Sequence, residues 1–137
     1  MASDQQEDTA SEQVHMQVIL IVEDEEEIGD LIVQLMEQET PYKAFAATNA
    51  IQALELVATI KPNLFLLDYQ LPGINGLELF DRLHAIKGLE VVPALMFSAN
   101  TLPQKALQKR HITSLMKPFE LDDLLKIVEK LLKRQEA

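Results

Sequence analysis

Five short apolar runs, each followed by a segment with apolar residues at helical spacing, constrain the fold of this chain more than any other feature. Apolar runs without polar alternation are typical of strands buried on both faces, and the alternation of strands with helices predicts a parallel sheet. We therefore expect an α/β protein with a doubly wound five-stranded sheet and helices on both faces. The predicted strands are 17–22, 42–47, 64–68, 93–99 and 112–116. The predicted helices are 25–39, 50–60, 76–86, 102–110 and 120–134.

The length of 137 residues and the 47% hydrophobic content suit one domain with its own core. We place that domain at residues 16–134, with an acidic disordered tail at 1–15 and no output domain. Cysteine is absent, and the sequence has no apolar run of membrane-spanning length and no signal peptide pattern. We expect a soluble cytoplasmic protein without membrane insertion.

Negative charge is concentrated near the start of the chain. The segment before Lys43 carries 12 acidic and no basic residues, whereas the remainder has 10 acidic and 12 basic residues. A chain with this negative charge and without a basic stripe is poorly suited to binding the phosphate backbone of a nucleic acid. We therefore expect no direct nucleic-acid partner.

Polar side chains stand where the predicted strands end. Glu23 and Asp24 follow the first strand, Asp68 ends the third, Ser98 lies at the end of the fourth, and Lys117 follows the fifth. Ligands of open α/β sheets bind outside the carboxyl ends of the strands. These side chains are therefore expected to lie at one edge of the sheet and to form the functional site.

This set of side chains predicts phosphoryl chemistry. Closely placed carboxylates repel one another unless a cation lies between them, and oxygen ligands favour Mg²⁺, so Glu23, Asp24 and Asp68 are candidate metal ligands. A carboxylate can accept a phosphoryl group covalently, which makes Asp68 the candidate nucleophile. Ser98 and Lys117 would contact the transferred group.

The sequence resembles a response regulator receiver domain of two-component signalling across about residues 17–133. The resemblance lies in "VEDEEE", "LLDYQLPGINGLEL", "MFSAN" and "MKPFE", which occur in this order on predicted strand ends. It implies the flavodoxin-like receiver fold with strand order 2-1-3-4-5, and often a cis bond before Pro118. It also implies Mg²⁺-dependent phosphorylation of Asp68 by a phosphohistidine partner, with the backbone carbonyl of Gln70 as a further metal ligand. The partner would be a histidine kinase or a histidine phosphotransfer protein.

By the same resemblance, the protein would not be an enzyme with a separate substrate. As a stand-alone receiver it would catalyse only its own phosphorylation and dephosphorylation. It would signal by contact with a downstream protein or by relaying the phosphoryl group.

Two features depart from the pattern of that family. Ser114 occupies the position, three residues before Lys117, where receivers usually carry Tyr or Phe. Pro103 lies in the predicted fourth helix, which is expected to be truncated. Both changes fall on the face that receivers usually use for output, so the readout of phosphorylation is expected to be altered.

Other interpretations of the same residues remain open. Each polar residue taken alone favours a structural role, because Asp forms turns, Ser caps helices and Lys is usually a surface charge. The fold could serve as a phosphorylation-independent adaptor. A Mg²⁺-dependent phosphatase is a remote alternative, because Gln70 stands where haloacid-dehalogenase-like enzymes place a second Asp. A flavin binder is disfavoured by the acidic strand ends. The three histidines, His15, His84 and His111, are expected on the surface without a chemical role.

Overall fold

The sheet of this protein has five parallel strands in the order β2-β1-β3-β4-β5. A computed structural model describes residues 17–136, so the expected tail at 1–15 lies outside the described residues. The strands are β1 Val18–Val22, β2 Lys43–Ala47, β3 Leu64–Asp68, β4 Ala94–Ser98 and β5 Thr113–Met116. The helices are α1 Glu26–Glu39, α2 Ala50–Leu56, α3 Gly76–His84, α4 Gln104–Lys109 and α5 Leu121–Glu136. The predicted fold class and strand order are confirmed.

Both faces of the sheet are covered, and each cover forms its own core. Alternate residues of a strand point to opposite faces, so Leu66 packs with α1 and α5 whereas Leu67 packs with α2, α3 and α4. Every residue of β3 and β4 is buried. The continuous apolar runs in the sequence therefore correspond to strands between two helical layers.

Two helices are shorter than their apolar patterns. Helix α2 ends at Leu56 rather than at Ile60, because the Ala58 and Thr59 N–H groups donate to carbonyls three residues back and the chain tightens into turns. Helix α4 has only six residues and begins after Pro103, so the predicted truncation of the fourth helix is confirmed. Strand β5, at the edge of the sheet, is only partly buried.

The apolar residues of α1 at helical spacing are Ile28, Leu31, Ile32, Leu35 and Met36, and this expected stripe is not buried throughout. Ile32 and Met36 are buried against the sheet, but Leu31 is 50% exposed. Leu31 belongs by sequence spacing to the same stripe, so its exposure reflects what covers the helix rather than its position in the pattern. It lines an open groove described below.

The histidine predictions have mixed outcomes. His111 is exposed as expected, with φ 57° just after α4. His84 is half-buried, so its surface assignment was wrong: its ring lies 3.9 Å from the Phe80 ring centroid, and Nε2 lies 2.7 Å from the Val92 carbonyl. His15 lies outside the described residues.

In the part of the chain that the structure describes, every helix is too short or too polar to cross a lipid bilayer.

Candidate functional site

Three carboxylates meet at the carboxyl edge of the sheet. β1 and β3 are neighbours with Val22 opposite Leu67, so the residues that follow, Glu23 and Asp68, lie side by side. One carboxylate oxygen from each of Glu23, Asp24 and Asp68 lies within 4.8 Å of the others. Glu23 is 1% exposed and Asp68 4% exposed, whereas Asp24 lies at the exposed rim.

Lys117 is the cation of this cluster. Its Nζ donates to Glu23 Oε1 at 2.6 Å and to Asp68 Oδ2 at 3.2 Å. Its side chain is 20% exposed and that of Glu23 is fully buried, so the pair is largely withdrawn from water. One ammonium therefore bridges two buried carboxylates that would otherwise repel each other.

The second oxygen of each buried carboxylate is held by the backbone. The Glu25 N–H donates to Glu23 Oε2 at 3.1 Å, and the Gln70 N–H donates to Asp68 Oδ1 at 3.1 Å. These bonds fix the carboxylates at the ends of their strands. The predicted role of the Gln70 carbonyl as a metal ligand remains a prediction.

Ser98 ends β4 beside this cluster and is 1% exposed. Its Oγ accepts from the Asn100 N–H at 3.0 Å, and its carbonyl accepts from the Lys117 N–H at 2.9 Å. The backbone of β4 thus holds Lys117 where the fifth strand ends. The Lys117–Pro118 peptide bond is cis, as the resemblance implied.

A loop from Tyr69 to Asn75 connects the predicted phosphoacceptor to α3. Asn75 caps the helix by accepting from the Glu78 N–H at 2.9 Å, and the Gly76 N–H donates back to the Tyr69 carbonyl at 2.8 Å. A Cβ on Gly76 would lie 2.6 Å from the Asp68 carbonyl oxygen, closer than van der Waals contact allows. Glycine at this position lets the helix start against the backbone of Asp68.

Gly76→Ala is expected to lower the free energy of unfolding by about 2 kcal/mol, because the rigid backbone of Asp68 must move to admit the methyl group. Gly29→Ala is the matched control, since a Cβ there meets Ala46 at an ordinary 3.6 Å. That change should stabilise α1 by roughly 0.5–1 kcal/mol through helix propensity. Urea denaturation of both variants measures the difference, and equal effects would contradict the close-approach argument.

Two pKa shifts reflect the crowding of charge. Loss of hydration, followed by the hydrogen bond and the negative charge of Glu23, raises the pKa of Asp24. Burial alone would lower the pKa of Lys117, but the hydrogen bond to Glu23 and the charges of Asp68 and Glu23 outweigh it, so the pKa of Lys117 is raised. The ammonium stays charged at neutral pH, and the acidic cluster has excess negative charge.

The donor set fits a hard divalent cation. Carboxylate oxygens are the ligands that Mg²⁺ takes in proteins, and one oxygen from each of the three acidic residues could reach a common ion. One ammonium against three carboxylates leaves a net negative charge that a divalent cation would offset. Glu23, Asp24 and Asp68 are therefore the candidate metal ligands, as the sequence predicted.

Two aromatic residues beside Lys117 were missed in the sequence. The Lys117 Nζ lies 5.2 Å from the centroid of the Phe97 ring, and the Phe119 ring packs edge-on against Phe97 at 5.9 Å. Phe97 lies in the middle of an apolar strand, so its type suggested a core residue. Phe97 lies directly opposite Asp68 in the register of β3 and β4, and this pairing was the signal that could have placed it near the site.

An apolar groove of about 350 Å³ lies next to the site, between α1 and the segment that leads into α5. Lys117 contributes to one wall and the exposed Leu31 to the other. The other lining residues are Ile28, Ile32, Ala99, Pro118, Phe119 and Leu121. An exposed apolar groove beside a polar site is typical of a surface that contacts another molecule.

Comparison with known proteins gives a family match over most of the chain. Residues 19–129 match the model of the response regulator receiver domain. The chain is 32% identical over 115 residues to sporulation initiation phosphotransferase F of Bacillus subtilis, covering 83% of this chain and 92% of that protein. It is also 32% identical over 119 residues to the phosphate regulon transcriptional regulatory protein PhoB of Pseudomonas aeruginosa. That match covers 85% of this chain but only 52% of the relative.

Solved structures agree with the sheet order described above. A response regulator receiver domain protein from Methanospirillum hungatei superposes with a TM-score of 0.80 at 27% sequence identity. The match covers 88% of this chain and 97% of that structure.

Proposed function

The chain belongs to the response regulator receiver domain family, which is a family of signalling domains, and on that premise we propose that it accepts a phosphoryl group on Asp68. The observation that supports this most is the position of Asp68. It ends a buried central strand, one of its oxygens is held by the Gln70 N–H, and the other lies 3.2 Å from the Lys117 ammonium. A carboxylate held in this way keeps one orientation toward an incoming phosphorus atom.

In the proposed reaction, an oxygen of Asp68 attacks the phosphorus of a phosphohistidine. A P–O bond forms on Asp68, the P–N bond to the imidazole breaks, and the imidazole nitrogen keeps the electron pair. Lys117 would pair with the phosphoryl oxygens, and the Ser98 hydroxyl would donate to one of them. Lys117 contacts Asp68, and Ser98 ends β4, the strand that pairs with β3.

The candidate ligands for Mg²⁺ are Glu23, Asp24 and Asp68, with the Gln70 carbonyl as a further candidate. When bound, the ion would offset the repulsion between the carboxylates and an incoming phosphate. Glu23 is held by Lys117 and by the Glu25 N–H, so its carboxylate is fixed on the side of the site that borders Asp68.

The proposed partners are a histidine kinase and a histidine phosphotransfer protein. The relative that this chain nearly spans is named a phosphotransferase, which supports a role in passing the phosphoryl group onward. Such a donor must bring its histidine to Asp68 and therefore covers the surface around the site. The apolar groove beside Lys117 is suited to that contact, because it presents Leu31 to a partner. The proposed location is the cytoplasm, where these partners act.

The output of the proposed switch differs from the usual pattern of the family. Ser114 is half-buried in β5, and α4 has six residues, so the face formed by these elements lacks both the aromatic side chain and the full helix. This observation keeps a second candidate open, an adaptor that binds its partner without phosphorylation. The affinity for the partner distinguishes the two candidates. If the protein is only an adaptor, Asp68→Ala binds the partner as tightly as the wild type does.

The test of the proposed function is intact mass spectrometry after incubation with acetyl phosphate and Mg²⁺, and in parallel with a phosphorylated histidine kinase. With Mg²⁺ we expect the mass to increase by one phosphoryl group. When a chelator replaces Mg²⁺ we expect no adduct to form, because the acidic cluster then repels the donor. If neither donor labels the protein, the proposal fails and the adaptor takes its place.

A further inference from the structure

The ammonium of Lys117 has three neighbours of different kinds. Two are the carboxylates of Glu23 and Asp68, which accept its hydrogen bonds. The third is the face of the Phe97 ring, 5.2 Å from Nζ to the ring centroid, within the range of a cation–π contact. Phe97 is fully buried, so this contact lies away from water, where such contacts are strongest.

The hydrogen bonds from Lys117 to the two carboxylates are not kept throughout the proposed reaction. Asp68 loses a charged oxygen when that oxygen forms a bond to phosphorus, and Glu23 and Asp68 are also the candidate ligands of a cation. The ammonium must therefore exchange these contacts for the phosphoryl oxygens. The Phe97 ring carries no formal charge, binds no metal and forms no bond in the reaction, so its attraction for the ammonium persists throughout.

We infer that Phe97 is a positioning residue that holds the Lys117 ammonium at the site while its carboxylate partners are exchanged. The inference deepens the proposed function and depends on phosphoryl transfer to Asp68 for its kinetic consequence.

The position of the ring is itself fixed. Phe119 packs edge-on against Phe97 at 5.9 Å, and the Phe97 carbonyl accepts from the Tyr69 N–H at 2.9 Å. The same residue thus contacts the chain next to the predicted nucleophile through its backbone and the ammonium through its ring. Phe97 lies opposite Asp68 in the sheet register, and its ring is fully buried in a close-packed core, which restricts the ring to one rotamer.

The first experiment observes the contact directly in the wild-type protein. The protons on Cε of Lys117, assigned by NMR with Lys117→Arg, should lie upfield of those of exposed lysines, because they are above an aromatic ring. The displacement should persist when MgCl₂ is added to saturation and should disappear in Phe97→Leu. Loss of the displacement on adding MgCl₂ would overturn the inference, since the ring would then not hold the ammonium after the carboxylates are engaged.

The second experiment measures the rate of phosphorylation by acetyl phosphate with saturating Mg²⁺. Phe97→Leu is expected to react about tenfold more slowly, because the ring no longer holds the ammonium near the phosphoryl oxygens once its carboxylate partners are engaged. A factor of ten corresponds to ~1.4 kcal/mol of activation free energy. Phe65→Leu is the matched control, because Phe65 is an equally buried phenylalanine in β3 that belongs to the core on the opposite face of the sheet. It should lose a similar amount of stability and keep the wild-type rate.

Equal rates for Phe97→Leu and Phe65→Leu would overturn the inference while leaving the proposed function intact. If the wild-type protein itself takes up no phosphoryl group, the proposed function fails, and the NMR experiment still decides whether the ring holds the ammonium. The persistence of the displacement in MgCl₂ is measured on the wild-type protein, so that result does not depend on whether Phe97→Leu folds.

Discussion

Asp68→Asn is expected to abolish phosphoryl uptake from acetyl phosphate and from a phosphorylated histidine kinase. An amide lacks the negatively charged oxygen that attacks phosphorus, and the buried neighbour Glu23 is engaged by Lys117 and by the Glu25 N–H. Asn has nearly the shape of Asp and can still accept the hydrogen bond from the Gln70 N–H. The loss would therefore report chemistry rather than unfolding.

The control for this substitution is Asp122→Asn, the same chemical change at an exposed position in the first turn of α5. Intact mass should show the phosphoryl adduct on the control and on wild type but not on Asp68→Asn. An adduct on all three proteins would place the acceptor elsewhere, and peptide mapping would then identify it.

Lys117→Met is expected to lower the free energy of unfolding by about 3 kcal/mol in buffer without divalent cations. The change removes the only ammonium that the structure places on the buried Glu23 and Asp68 carboxylates and leaves both charges unpaired in the described part of the chain. Breaking one side of a buried ion pair costs roughly 3–5 kcal/mol, and the 20% exposure of Lys117 places the effect at the lower end.

Urea denaturation measures this effect, and two further variants interpret it. Lys126→Met removes an exposed ammonium from α5 and should change stability little. In the double variant Glu23→Gln/Lys117→Met, neutralising Glu23 should restore part of the lost stability, because one of the two unpaired charges is gone. If Lys117→Met is no less stable than Lys126→Met, the two hydrogen bonds of Lys117 contribute nothing to folding.

The parts of the fold that follow from local pattern were predictable. A strand buried on both faces is read as a continuous apolar run, which is why the four apolar residues of "LFLLD" identified β3 and the charged Asp68 marked its end. Parallel strands bring their carboxyl ends to one edge, so the proximity of Glu23, Asp24 and Asp68 followed from the strand ends alone. The functional roles of these residues remain predictions.

The parts that depend on distant contacts were not predictable. Leu31 and Ile32 are neighbours in one apolar stripe, yet Leu31 is 50% exposed and Ile32 is 1% exposed. Ile32 packs into the core beneath the sheet, whereas Leu31 lies on the side of α1 that borders the groove, a difference that spacing alone does not decide. The ring of Phe97 under Lys117 depends in the same way on the packing of β4 against the end of β5, and the half-buried His84 depends on contact with the loop before β4.

The hydrogen bonds at the start of α3 also affect the deamidation of Asn75 in this protein. Asn followed by Gly is the pair most prone to spontaneous deamidation, which begins when the glycine nitrogen attacks the asparagine side-chain carbonyl. Here the Gly76 N–H is donated to Tyr69, and the Asn75 side-chain oxygen accepts from Glu78, so both reacting groups are engaged elsewhere. The folded chain thus protects a chemically fragile bond near Asp68, the proposed phosphoacceptor, and we expect damage there mainly in molecules that have unfolded.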